Sequence, residues 1–128
     1  MNDTSKLEPT NIGLSEAAHA KLKRLHEDGH FAQMADAYRF AISLALAAGA
    51  KPTELSGSRA NIFGVATIDP EREIYTAIKS LVDTGDVPVY RWAERLADWG
   101  IVEIFSRAEN GKLDISSIIL EAEGKVAT

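Results

Sequence analysis

The chain has 128 residues, 45% of them hydrophobic and 26% charged, which suits one domain around one core and leaves little for a second. With no cysteine it has neither a disulfide framework nor a thiolate metal site, which makes a reducing compartment, the cytosol, the expected location. The net charge of −5 is uneven, since residues 1–51 carry six basic and six acidic side chains and the remainder supplies the whole excess. Such a chain is no polycation, so any DNA binding has to come from a local patch, from several copies or from a partner.

Residues 1–9 are polar and lack an apolar signal-peptide core, and no run approaches the roughly 18 apolar residues of a membrane helix. They read as a flexible N-terminus ahead of a single helical domain over 10–128. From Ile12 to Gly49 the pattern is a short extended piece, a helix, a turn and a second helix. Ser15 is a good N-cap, and Glu16 suits the positive end of the helix dipole. Ala18, Leu22 and Leu25 form the apolar stripe of the first helix, and Gly29 offers the left-handed residue that stops it.

The second helix is expected over about 33–48, closed by Gly49 and Pro52. Its apolar positions nearly encircle it: Met34, Tyr38, Ala41, Ala45 and Ala48 on one side, Phe40, Leu44 and Ala47 on another. Asp36, Arg39 and Ser43 leave only a thin polar strip. A helix of this kind is either the centre of the monomer or an interface with a second copy, and Phe40 and Leu44 are the interface candidates.

Residues 51–60 read as a loop, and 61–68 as a brief strand or extended segment. Asp69-Pro70 reads as the cap and first position of a third helix that runs to about Thr84-Gly85. A fourth helix begins at Pro88, shows Trp92, Ala93, Leu96 and Trp99 at helical spacing, and is closed by Gly100. Ile101–Phe105 reads as a strand or a further turn of helix. Asn110-Gly111 would make it a hairpin with 113–120 if both are extended, whereas a helix capped by Asp114 is the favoured reading of the last piece. The fold class expected is thus all-α, four to five helices with a short N-terminal strand, and a small C-terminal hairpin as the variant.

Catalytic signatures are missing from the pattern. His19 and His26 lie two helical turns apart, roughly 10 Å by helix rise, too far to chelate as a pair, so no metal site is expected. Ser56-Gly57-Ser58 lacks the strand-to-helix turn of a hydrolase serine, and no phosphate-cradling glycine loop occurs. Asp69, Glu71 and Glu73 could form a metal or nuclease cluster, but helix capping accounts for them better. Arg91, Glu94, Arg95 and Asp98 mix signs at pairing distance and read as a solvated, salt-bridged face. Tyr38, Tyr90, Trp92 and Trp99 read as core aromatics. Lys21, Lys23 and Arg24 make the densest basic cluster, with Arg39 or Lys51 as its extension, and form the candidate DNA-binding set.

Ile12-Gly13-Leu14-Ser15, Leu22-Lys23-Arg24-Leu25, Gly29 and the second helix resemble the layout of ribbon-helix-helix regulators, in which paired strands enter the major groove. In this chain the extended piece holds one amide, Asn11, and no Arg or Lys, and the connector Glu27-Asp28-Gly29-His30 is acidic. Leu14-Ser15, Ala18, Leu22-Lys23-Arg24-Leu25, Gly29 and Tyr38-Arg39-Phe40-Ala41-Ile42-Ser43-Leu44 resemble the E component of the bacterial Dnd system, which installs phosphorothioate in DNA. The order Phe40-Ala41, Ala48-Gly49, Asp69-Pro70 and Ala97-Asp98-Trp99-Gly100 is similar to small proteins associated with that system. That resemblance implies a mostly helical, self-assembling subunit that meets duplex DNA through lysines, carried here by Lys21 and Lys23.

The function expected is therefore a non-catalytic accessory subunit of a DNA-modification or restriction-type defence system. It would form a homo-oligomer, bind duplex DNA or a protein partner, use no cofactor and not engage a membrane. Two alternatives are a ribbon-helix-helix regulator or antitoxin, which needs its strand to pair with a second copy, and a small enzyme or nuclease with open carboxylates near Asp69.

Overall fold

The computed structural model describes residues 7–111. Its elements are β1 (Asn11–Ser15), α1 (Glu16–Glu27), α2 (Met34–Ala47), β2 (Arg59–Gly64), α3 (Val65–Ile68), α4 (Glu73–Leu81) and α5 (Val89–Glu109). Helix dominates, as expected, but β1 and β2 pair antiparallel within the chain, so the fold is mixed rather than all-α. The expectation over 113–120 lies outside the described residues.

The first half of the chain follows its local signals. Ser15 caps α1 by accepting the Ala18 N–H at 3.2 Å, and beyond the helix Gly29 takes a left-handed φ of 81°. α2 ends where Gly49 turns with φ 67°. On α2, Ala37, Tyr38, Ala41, Ile42, Leu44 and Ala45 are buried. This helix is the centre of the monomer, packed chiefly on α5. Leu44, at 7% exposure, is therefore a core residue rather than an interface one.

Three boundaries move, each because tertiary packing outweighs a local signal. Residues 59–64, expected to be divided between a loop and an undecided segment, form β2, with Gly13 opposite Asn61 and a register slip between Ile12 and Gly13. At that bulge a Cβ on Gly13 would lie 1.6 Å from the Ala60 carbonyl oxygen, so only glycine fits. α4 opens at Glu73, not at Pro70, because residues 65–68 already form the short turn α3 and Arg72, with φ 58°, re-aims the chain.

Gly100 does not end a helix. α5 runs through it to Glu109, which makes Ile101–Phe105 helical and removes the strand that a hairpin would need. A Cβ at Gly100 would sit 2.3 Å from the Ala41 carbonyl oxygen, so this glycine sets the close crossing of α5 on α2. Ile12, Leu14, Leu22, Leu25, Tyr38, Ile42, Ile78, Leu96, Ile101 and Ile104 close the core around it. Among the described residues no helix is long and apolar enough to cross a membrane.

Within the stretch expected to be flexible, Glu8 is bonded to the start of α5. Both oxygens of Glu8 accept from the first turn of α5, the Val89 and Tyr90 N–H groups each at 2.9 Å. Pro88, the capping residue of that helix, makes no side-chain cap bond, so a carboxylate 81 residues away satisfies its orphan donors.

Candidate functional site

The chain's main polar centre lies where α5 crosses the outer edge of β1. A strand with one partner leaves every second backbone group of its other edge unpaired, at a cost if buried. Here two carboxylates of α5, one turn apart, take that edge: Gly13 N–H donates to Glu94 Oε2 at 2.8 Å, and Ser15 N–H donates to Asp98 Oδ2 at 2.8 Å. The Ser15 hydroxyl donates to the same Asp98 oxygen at 2.8 Å while accepting from Ala18. From α2, the Tyr38 hydroxyl donates to the Gly13 carbonyl at 2.8 Å.

Glu94 is 2% exposed, and its charge is met by two arginines. Arg91, one turn back on α5, donates to Oε1 at 2.9 Å, and Arg59 at the start of β2 donates to Oε2. Of the salt-bridged face expected at Arg91, Glu94, Arg95 and Asp98, the Arg91–Glu94 pair forms, Glu94 is turned inward, and Arg91, Arg95 and Asp98 are half-buried. Arg95 has no carboxylate partner among the described residues; its guanidinium lies 4.9 Å from the Trp92 ring centre. Arg59, Arg91 and Arg95, with Glu54 and Glu94, line a cleft of about 500 Å³. Sequence reading missed this grouping because Arg59 stands on a distant strand and nothing local marks it.

A second polar centre holds α4 against α5. Asp69 is 5% exposed and accepts from the Ile74 and Tyr75 N–H groups at 3.0 and 2.9 Å and from the Tyr90 hydroxyl at 2.8 Å. It caps a helix, as its sequence context implied, but the helix begins farther on. Glu71 and Glu73 are exposed. Among the described residues, no group of three or more His, Asp or Glu is placed to hold a metal ion.

Electrostatics follow from this burial. Desolvation pushes the Tyr38 phenol well above its usual range, reinforced by the nearby Glu94 carboxylate. Burial does the same to Tyr90, helped by the hydrogen bond it donates to Asp69. His19 is pushed down, first by desolvation and then by the Lys23 ammonium. Every buried side-chain polar atom among the described residues has a partner. Glu94, Asp98, Asp69, Tyr38 and Tyr90 therefore hold elements together.

The residues expected to meet DNA are divided. Lys23 and Arg24 are exposed on α1, and Lys21 is half-buried with its ammonium 5.8 Å from the Phe105 ring centre. Arg24 pairs with Asp28 at 3.0 Å. Arg39 does not extend this run as an open charge, since it pairs with Asp36 at 2.8 Å and donates to the Thr67 carbonyl at 3.0 Å. Phe40 is half-buried against Phe31, ring centres 5.9 Å apart, and Leu44 faces the core. His26 Nδ1 lies 3.1 Å from the Phe31 carbonyl oxygen. Among the described residues, the large apolar side chains that remain exposed are Leu7, Leu81 and Val102.

The pairing of β1 also bears on the ribbon-helix-helix layout. One edge of the strand holds β2 and the other is taken by Glu94, Asp98 and Tyr38, so a strand from a second copy would have to displace these bonds. Comparison with protein-family models, with curated proteins and with solved structures finds no match to this chain.

Proposed function

We propose that this chain is a non-catalytic accessory subunit of a DNA-modification or restriction-type defence system, acting by self-association and by binding duplex DNA or a partner protein. The observation that carries the DNA part is the basic run on α1, where Lys23 and Arg24 are exposed and Lys21 stands at the margin. The buried carboxylates and phenols support a binding role rather than turnover, since each is engaged in holding β1, α4 or α5 in place. Self-association does not draw on Leu44, which is in the core, and falls instead to exposed apolar side chains such as Leu81 and Val102.

Light scattering gives the copy number, and titration against duplex DNA at two salt concentrations tests the patch. Binding should weaken with salt, and Lys21→Gln or Lys23→Gln should each lower the salt slope by about one, the share of a single neutralised phosphate. A duplex that does not bind even at low salt removes the DNA part and leaves a protein partner as the reading.

A further inference from the structure

The cleft beside Glu94 has a composition that its structural role does not use up. A guanidinium offers more N–H donors than one carboxylate can take. Arg59 and Arg91 each make one hydrogen bond to Glu94, and Arg95 makes none to an acid among the described residues. The buried carboxylate acts as an anchor: it holds two guanidinium groups by one edge and, among the described residues, leaves their remaining donors uncommitted. Their side chains are 30% and 39% exposed, so those donors are within reach of solvent.

We infer that the cleft formed by Arg59, Arg91 and Arg95 binds the phosphate group of a small phosphorylated molecule. Three arginines against Glu54 and Glu94 leave the cleft one positive charge in excess. Planar guanidinium forks suit the oxygens of a phosphate, and two of the three are already positioned, which lowers the ordering cost of binding. A volume of about 500 Å³ exceeds what a bare phosphate needs and lies in the range of small-molecule sites, leaving room for the organic part. The surroundings favour a compact anion over a polyanion, because the adjoining groove sets Glu54, Asp98 and Glu103 against Lys51 and Arg95 and so carries one negative charge in excess. A duplex laid across this face would meet those carboxylates.

The test is calorimetric titration of the full chain with inorganic phosphate and with a nucleoside monophosphate, at ionic strength matched by chloride. Both should bind saturably, the nucleotide more tightly. Arg95→Gln, which breaks no ion pair among the described residues, should weaken binding roughly tenfold at unchanged circular dichroism and melting temperature. Glu54→Gln should tighten it, since that side chain is exposed and its charge opposes the ligand. Absence of saturable binding overturns the inference, as does binding that Arg95→Gln leaves unchanged. Duplex DNA forms a separate arm. Duplex binding that depends on Lys21 and Lys23 but not on Arg95 supports the α1 patch without bearing on this cleft, so the two readings fail independently.

Discussion

Removing the Glu94 carboxylate should be among the most costly single changes in this protein, and its size can be worked from the geometry. In Glu94→Ala the Gly13 N–H, now bonded at 2.8 Å on a buried strand edge, loses its acceptor. An unsatisfied buried donor costs about 1–3 kcal/mol. Arg59 and Arg91 lose their partner as well, but at 30% and 39% side-chain exposure they regain water. Their share is therefore about 1 kcal/mol, below the roughly 3–5 kcal/mol of a fully buried broken pair. The total is about 2–4 kcal/mol, or a fall in Tm of roughly 10 °C for a domain of this size. Glu94→Gln keeps one oxygen for Gly13 but turns an amide N–H₂ toward an arginine, so about half that loss is expected. Urea unfolding of the two variants at neutral pH measures both values. If Glu94→Ala falls within about 0.5 kcal/mol of the parent, the carboxylate is not holding β1 and the reasoning fails.

Other consequences follow from the same structure. Gly100→Ala should destabilise by about 2 kcal/mol despite alanine's better helix propensity, because the new Cβ meets the backbone of Ala41 at 2.3 Å and no rotamer relieves it. A gain in Tm for that variant would show that α2 and α5 do not cross so closely. Tyr38 and Tyr90 have folded-state pKa values raised above the ordinary 10.0, so the folded protein holds their protons longer than the unfolded chain does. Stability is then intact below that pH and falls above it, by about 1.4 kcal/mol per pH unit for each phenol. Tyr38→Phe should halve that slope while losing the bond to Gly13, and a flat alkaline profile in the parent would refute the assignment. For His19, lowered below 6.5 by desolvation and by Lys23, the sign is opposite: its contribution is lost as pH falls through the folded value. An imidazole NMR titration should show a midpoint below 6.5 that moves upward in Lys23→Gln.

Legibility tracked the range of the interactions involved. Ser15 as a cap, Gly29 and Gly49 as turns, and the apolar stripe of α1 act within a few residues, and each stands where the pattern placed it; on α2 the buried face takes in Ala37 and Ile42 as well, which neither expected stripe contained. Gly100 misled because its local meaning, a helix stop, gave way to a packing demand from Ala41, 59 positions back along the chain. The Asp69-Pro70 signal identified the capping side chain correctly and the first helical residue wrongly. The bonds from Ile74 and Tyr75 reach back over a turn that closes at Arg72, whose φ is 58°. Glu94 and Asp98 looked like half of a solvated charge pattern, since helical spacing shows which residues share a face but not what that face meets.

The amino-acid pattern by itself determined a helix-dominated chain with a short extended piece near its start, because hydrophobic period, caps and turn residues are local properties. Only the tertiary structure decided that β1 pairs with β2, that Glu8 caps α5 across 81 positions, and that Arg59 joins Arg91 and Arg95 around one cleft. These depend on which unpaired backbone groups and buried charges come together when the core closes. Burial then makes their mutual satisfaction obligatory, and no window of sequence encodes that meeting.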